Sequence, residues 1–473
     1  MSERNTVITG VGAITPLGRT YRETMDAAWQ GQIGISYQEA WLAEQAQPDW
    51  LIKIHEAIEE AAQSTRSKKT RELLLGVETE NGHRGGLINM LPGYQRLRSK
   101  VAGRIIGYNL IEDPDYPFAD LIPARSVPRE FTPSGSLGLR AAAEAATKAA
   151  IVDENLKPLV DTSRYSVVVG SGIGGAIKLA EGAYKILRNI RPSSTDMFQM
   201  MPESPVITIA DVMGAEGGHY LIPKACSSSI AALIQAHRQI KLDEADVVLA
   251  GGIEALNYYT LVEFEATGAA YEGSDSKRAS LPFNPAREGA VISEGSVFFV
   301  LEDEKYARNR GAVILARLTG YGEAGGPGER TELSPKHLFN AVELSLKRSN
   351  WEPSDPTAYG AHATATKRGD PGEIKVVNWL DAKLGVDLES RVMATKGRAG
   401  HMLGNAGAMA AAEMLEALDT QSLPPAVGSE EVEDDMEKYI TSATEVTERE
   451  IKKGIVVGAG FGNQNAAIVL EAY

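Results

Sequence analysis

One cysteine, Cys226, stands among 473 residues. A lone thiol excludes an intrachain disulfide framework and suits a reducing compartment. Positive charge is also in short supply: 48 Lys and Arg against 63 Asp and Glu leave a net charge of −15. That balance argues against a nucleic-acid-binding surface. No uninterrupted apolar run approaches the ~18 residues of a membrane span. The opening MSERNTVITGVG lacks the basic-then-apolar layout of a secretory leader, so a cytoplasmic location is expected. The seven histidines and one cysteine show no close pairing such as H-x3-H or C-x2-C, so no metal site is expected.

What is present reads as an ordinary soluble α/β protein, with 43% hydrophobic and 23% charged residues. The length exceeds one simple core and points to two fused halves, placed at residues 1–312 and 313–473. Strand-like apolar runs (TVIT from Thr6, YSVVV from Tyr165, VVLAGG from Val247, SVFFVLE from Ser296) alternate with helical patterns at Tyr21–Trp29, Leu137–Ile151, Lys336–Arg348 and Glu373–Leu384. A further strand is expected at Val313–Leu318, and two more flank the Gly/Asn turn near the C-terminus. Such alternation predicts covered sheets. No strict internal repeat is apparent. Residues 37–97 differ in texture, with charged helix-favouring stretches around a Gly/Asn-rich break at Glu80–Gly86, and read as a mostly helical excursion.

The stretch PKACSSSIAALIQAHRQIKLDEADVVLAGG carries the single thiol at the start of an amphipathic helix. Three serines after Cys226 suit a first helical turn rather than a helix interior. A helix N-terminus offers free amides and a dipole that lower a thiol pKa. The bland alternative is a small buried hydrophobe, the commonest state of a free cysteine. Two histidines weigh against it. His362 precedes a threonine-rich turn, ATATKRGD, and His401 lies among glycines in AGHMLGNAG, with Lys396 five residues before it. Small neighbours let backbone and ligand approach closely. One Cys with two such His fits acyl transfer, in which a thiolate attacks a thioester and imidazoles handle protons. The glycine string GSGIGG at Gly170–Gly175 is a poor dinucleotide fingerprint, because it does not open a helix as G-x-G-x-x-G within a first βαβ unit.

Eight motifs in order, VITGVGAITPLG, VAGRI, GSGIGG, ACSSS, NPAREGAVISEG, HATATKRGDPGE, TKGRAGHMLGNAGA and GFGNQN, make the chain resemble the elongating β-ketoacyl-acyl-carrier-protein synthases of the thiolase-like superfamily. The resemblance spans everything except residues 37 to about 97. It implies a thiolase-like fold, two related α/β halves in a five-layered αβαβα arrangement. It implies decarboxylative condensation of malonyl-acyl carrier protein with an acyl group held on Cys226, with His362 and His401 assisting decarboxylation. Lys396 together with Glu373 would position the second histidine. The amides of Cys226 and Phe461 would form an oxyanion hole, with the Phe461 ring as gate. Thr364 and Thr366 would hold phosphopantetheine, and Ile173 would limit the acyl pocket. Arg125 and Arg129, with the basic runs Arg66–Arg71 and Arg96–Arg104, are docking candidates for an acidic carrier protein. No cofactor is implied beyond the carrier-borne phosphopantetheine, and a homodimer or a heterodimer with a related subunit is expected. The alternative is a non-catalytic partner subunit like the chain-length factors, which lack the nucleophile that this chain keeps. A thiolase would need a second cysteine.

Four departures from the family pattern point to a specialised synthase. Asn463 stands where a second glycine is usual, and Ser293 where a glycine is common. Lys224, two residues before the cysteine, replaces a small or hydroxylated residue and either lowers the thiol pKa or points away. The loop after Gly320 is short.

Overall fold

The computed structural model describes residues 4–38, 60–65, 77–79, 82–84, 101–105, 132–187 and 189–473. Among the described residues, the first part of the chain gives five strands to a ten-stranded sheet: β1 (Thr6–Ile14), β2 (Tyr165–Gly170), β3 (His219–Ile222), β4 (Val247–Glu254) and β5 (Gly295–Asp303). Five more follow: β6 (Ala316–Ala324), β7 (Thr357–Gly360), β8 (Val392–Met393), β9 (Lys453–Gly460) and β10 (Gln464–Ala472). Their lateral order is β8-β7-β9-β10-β6-β1-β5-β4-β2-β3. Each set of five has the same internal order and the same directions. In the first, β2 runs parallel to β3 and β4, while β5 is antiparallel to β4 and β1. In the second, β7 runs parallel to β8 and β9, while β10 is antiparallel to β9 and β6. The sets meet where Thr6–Ile8 pairs antiparallel with Ala316–Leu318.

The likeness reaches single residues. A register shift interrupts β1 between Ile8 and Gly10, and another interrupts β6 between Leu318 and Gly320. Thr-Gly-Val-Gly occupies the first site, at Thr9–Gly12, and Thr-Gly-Tyr-Gly the second, at Thr319–Gly322. Outer helices α1 (Pro133–Lys148) and α3 (Pro335–Arg348) lie directly on these glycines. A Cβ at Gly12 would fall 2.2 Å from the Ala141 carbonyl oxygen, and one at Gly322 would fall 1.9 Å from that of Ala341. The two halves thus share a short Thr-Gly-x-Gly likeness short of a strict repeat, and close helix–strand approach is its physical reason.

Three apolar cores separate five layers. One core joins α1 and the helix Ser204–Met213 to the first five strands. Another joins α3 and the helix Asp370–Trp379 to the second five. The largest lies between the sheets and contains α2 (Ser228–Lys241) and α4 (Ala406–Thr420). Strands covered on both faces are continuously apolar rather than alternating, as in β4 and β5, whose residues are all buried.

The expected strand at Val313–Leu318 begins later, at Ala316, and runs on to Ala324, into the stretch after Gly320 that had read as a loop. Around the atypical segment, Ile35–Tyr37 pairs antiparallel with Val101–Gly103, which brackets residues 38–100. Within it, residues 60–64 are helical. Val77–Thr79 and Gly82–Arg84 form an antiparallel hairpin where a loop had been expected, three-residue strands being too short to show alternation. The remainder of the excursion, including Arg66–Arg71 and Arg96–Lys100, lies outside the described residues.

Candidate active site

Cys226 sits in a single 3-10 turn, Ala225–Ser227, that leads from β3 into α2. The serines tie this turn. Ser227 Oγ donates to the Lys224 carbonyl at 2.8 Å, and Ser228 Oγ donates to the Ala225 carbonyl at 2.6 Å while accepting the Lys224 amide at 2.8 Å. Ala225 has φ +48°, a left-handed conformation costing roughly 1–2 kcal/mol for a residue with a Cβ. The serine bonds hold that conformation, which presents the thiol to a cavity while leaving it only 5% exposed.

The second part of the chain brings the histidines to it. His362 follows β7, and His401 follows Gly400, whose φ is +72°. His401 is fixed by its own backbone, its amide donating to the Val291 carbonyl at 2.7 Å and its carbonyl accepting the Ser293 amide at 3.0 Å. Its Nε2 lies 3.1 Å from Cys226 Sγ. The His362 ring stands at 90° to the His401 ring with centroids 5.5 Å apart. The Ala459 amide donates to His362 Nδ1 at 3.4 Å, which assigns the proton to Nε2.

Lys396 and Glu373 both reach this centre, but they act on the first histidine rather than the second. Lys396 Nζ donates to the His362 carbonyl. Glu373 accepts the His362 and Ala363 amides at 2.7 and 2.6 Å, and the Tyr359 hydroxyl at 3.1 Å. The reason is geometric: eleven residues separate Glu373 from His362, and the helix Asp370–Trp379 folds back beneath the strand end. Thr364 and Thr366 face one another, their hydroxyls 3.0 Å apart, alternating with Ala363 and Ala365 at φ +34° and +59°. Asp370, which sequence reasoning missed, accepts the Phe283 amide at 2.8 Å and the Thr366 amide at 3.3 Å. Arg287, also missed, donates from Nε to the Thr366 carbonyl at 3.2 Å. Both were in quoted motifs, NPAREG and KRGDPGE, which is the signal that could have found them.

Burial sets the electrostatics. It pushes the Cys226 thiol up to about 12, with Lys396 pulling it back and Glu254 pushing it further up. The expected lowering at a helix start is thus outweighed, because the thiol is desolvated. Burial also holds both His362 and His401 well below the ordinary imidazole value, and the Lys396 charge adds to this. Both rings are neutral at pH 7. Burial lowers Lys396 to about 8, against the attraction of Glu373, and raises Glu373. The centre therefore holds a neutral thiol, two neutral imidazoles and a buried ammonium.

A cavity of about 230 Å³ opens over these groups, lined by Cys226, His362, His401, Thr364, Thr366 and Phe461, with Phe264 and Asn463 further along its wall. The Phe461 ring stacks on Phe264 at 5.6 Å. Ile173 is not among the lining residues. Half-buried, it packs against an adjoining apolar cluster of Leu261, Ala290, Ile292 and Leu403 with Phe264, of which Ala290 and Phe264 line the cavity. Asn463 has φ +58°, which explains an asparagine in a glycine's place, since it tolerates that region better than other side chains. Its amide donates to the Glu329 carbonyl at 3.3 Å. Lys224 points away from the thiol and pairs with Glu323, which also binds Arg238 at 2.7 Å. Ser293 is buried beside His401. Arg125 and Arg129 lie outside the described residues.

Comparison with known proteins decides the family. Residues 92–307 match the N-terminal domain of β-ketoacyl synthases and residues 315–430 the C-terminal domain. A putative mitochondrial 3-oxoacyl-[acyl-carrier-protein] synthase of Schizosaccharomyces pombe is 30% identical over 403 residues, covering 82% of this chain and 93% of that protein. The chain belongs to the β-ketoacyl synthase family. It is thus a thiolase-like condensing acyltransferase. The 3-oxoacyl-[acyl-carrier-protein] synthase 2 of Rhizobium meliloti is 31% identical over 348 residues, covering 70% of this β-ketoacyl synthase and 80% of the relative. A β-ketoacyl synthase from Burkholderia phymatum superposes with a TM-score of 0.78 at 21% identity, covering 99% of this chain and all of that one. The ishigamide ketosynthase/chain length factor superposes at 0.76 and 19%, over the full length of both chains. At such identities these two structures speak for the fold, and they match the five-layered α/β arrangement.

Proposed function

We propose that this β-ketoacyl synthase condenses a malonyl unit carried on acyl carrier protein with an acyl group held on Cys226, in fatty-acid or polyketide chain elongation. The observation that carries this reading is the 3.1 Å approach of His401 Nε2 to Cys226 Sγ, with His362 at right angles across the same cavity. A thiol raised by burial must lose its proton as it attacks. In the first step Cys226 sulfur bonds to the acyl carbon, the carrier's C–S bond breaks, and the thiol proton passes through His401 Nε2 to the departing pantetheine sulfur. In the second, the malonyl C–CO₂ bond breaks, His362 Nε2–H donates to the enolate oxygen, and His401, no longer facing a thiol proton once Cys226 is acylated, donates from Nε2 in its other neutral tautomer. The enolate carbon then bonds to the acyl carbon as the Cys226 C–S bond breaks, and the released thiolate takes up a proton from solvent to restore the thiol. The Cys226 and Phe461 amides are the oxyanion donors in this scheme, and loss of such a donor typically costs roughly 10²–10³ in rate. Lys396 and Glu373 hold the main chain at His362, and Thr364 and Thr366 take the pantetheine arm. Ile173 limits the acyl pocket through the apolar cluster against which it packs.

No cofactor of the protein's own is called for, because CO₂ loss drives the condensation. We place the boundary between the halves at residues 312/313, just before β6. A second copy or a related subunit pairs at the outer edge of β3, the last strand of the sheet order. Exposed Tyr220 lies on that strand, and Leu179 and Met197 are also exposed. Arg125 and Arg129 remain the carrier-docking candidates, tested by charge reversal and salt-dependent binding. The location is taken as cytoplasmic, although one relative is mitochondrial. A non-catalytic chain-length-factor role is disfavoured by the intact Cys226, His362 and His401.

Intact-mass analysis after incubation with acyl-carrier proteins tests the proposal. A mass gain on Cys226 and condensation with malonyl-carrier protein are expected. Condensation that survives Cys226→Ala would refute it.

A further inference from the structure

The carboxylate of Glu254 takes no part in the bond-making steps above, yet two glycine-containing turns meet on it. It ends β4 and is 2% exposed. Its Oε2 accepts the amides of Gly172 at 2.8 Å and Gly404 at 3.0 Å, and its Oε1 accepts the Ser171 hydroxyl at 3.2 Å. The Ile173 amide bonds to it as well. Ser171 Oγ in turn accepts the Gly174 amide at 2.9 Å, so the whole turn 171–174 hangs from one side chain. Contact is close enough to require glycine at 404. A Cβ on Gly404 would lie 2.2 Å from the Gly172 nitrogen and 2.8 Å from Glu254 Oε2, and one on Gly172 would lie 3.5 Å from the Ala225 oxygen. The carboxylate thus sits where the turn of Ile173, the turn of Cys226 and the turn leaving His401 converge.

Its partners here are neutral donors, and charge-assisted bonds to backbone amides fix position more than they balance charge. What they fix is apolar. Ile173 on one turn and Leu403 on the other, the latter at φ +45°, belong to the cluster that backs the cavity wall at Phe264 and Ala290. Glutamine at this site would keep the size but offer one acceptor oxygen, turning an NH₂ toward the amides that now donate.

We propose that Glu254 is a positioning residue that sets acyl-chain selection, its carboxylate holding the Ile173 turn and the Leu403 turn at one spacing so that the apolar layer beside Cys226 keeps one depth. This rests on the ketosynthase reading above. The test loads wild type, Glu254→Gln and Ser171→Ala with a graded series of acyl chain lengths on a phosphopantetheine carrier and follows Cys226 acylation by intact mass. In Glu254→Gln the preference for the best-loaded length over its neighbours should fall by roughly 10-fold, the scale on which a pocket reads a methylene. Alkylation of Cys226 by iodoacetamide, which needs no acyl pocket, should not slow. Ser171→Ala removes one of the donors and should flatten the profile less, in the same direction; it decides alone if Glu254→Gln does not fold. A profile of unchanged shape, whether at wild-type rate or uniformly slowed, overturns the proposal. Wild-type protein that takes up no acyl group overturns the ketosynthase reading first, and this one with it.

Discussion

Arg398 and Glu413 form an ion pair with both side chains at 0% exposure, directly under the segment that carries Lys396 and His401. Arg398 Nη2 donates to Glu413 Oε1 at 2.7 Å, Thr395 Oγ1 donates to Glu413 Oε2 at 2.7 Å, and Arg398 Nη1 donates to the Pro425 carbonyl. Arg398→Met strands a buried carboxylate with one remaining donor, which costs about 3–5 kcal/mol. The Pro425 carbonyl left without its donor adds about 1 kcal/mol. Glu413→Met strands the guanidinium and should cost a similar amount. The double variant removes both charges and leaves only the Thr395 hydroxyl and the Pro425 carbonyl unpaired, roughly 2–3 kcal/mol in sum. It should therefore be more stable than either single variant, with a coupling energy of at least about 2 kcal/mol. Urea unfolding followed by the fluorescence of the five tryptophans measures all four corners of the cycle. Additive single costs would refute the reasoning, because they would mean that neither charge depends on the other.

Three further outcomes follow from the site. The pH profile of Cys226 alkylation should climb without a plateau through pH 10, since the buried thiol titrates near 12; a plateau near pH 8 or 9 would contradict that. Stability should be lost as pH falls below about 6.5, because the unfolded chain then takes protons that the depressed His362 and His401 refuse in the fold. Thermal melts of the wild type and of His362→Gln between pH 7 and 5 would register this as a smaller acid loss in the variant. At position 463, with its φ of +58°, Asn463→Gly should change stability by a few tenths of a kcal/mol while Asn463→Val costs more than about 1–2 kcal/mol; equal melting temperatures would refute the backbone argument.

Much of this was legible in the sequence because glycine, cysteine and histidine carry local demands. The Gly-flanked His401 and the serine-followed Cys226 were found by composition around them, and the structure brings them to 3.1 Å. The direction of the thiol shift was not legible, since desolvation depends on how α2 and α4 close over Cys226. The partner of Lys396 was missed for the same reason: sequence proximity pointed to His401, while the fold carries Nζ across to the His362 carbonyl. Glu254 left no sequence signal beyond ending an apolar strand, because its four donors come from residues 171–173 and 404. Of the two readings open for Lys224, lowering the thiol pKa or pointing away, the structure takes the second, since its side chain lands on Glu323.

The location of the chemistry follows from the repeated topology. α2 and α4 hold equivalent places, each leading away from a turn at the end of its half, and both pack in the central layer. They are pinned to each other at their starts: Ser229 Oγ accepts the Ala408 amide at 2.9 Å, and a Cβ on Gly407 would fall 2.4 Å from Ile230 Cγ1. Two helix starts held that closely leave no room for side chains between them, only for what precedes them. Before α2 that is Cys226, and before α4 it is His401. Cys226 lies two residues before α2 and His401 five residues before α4, so the two turns hold corresponding places in the repeated topology without matching residue for residue. His362 and Lys396 come from the second half alone, where the first half places its carboxylate Glu254 and the turn of Ile173. On the function proposed above, the second half supplies the proton-handling groups His362 and His401 and the first half supplies Cys226 and the Ile173 turn, so the condensation draws on both halves.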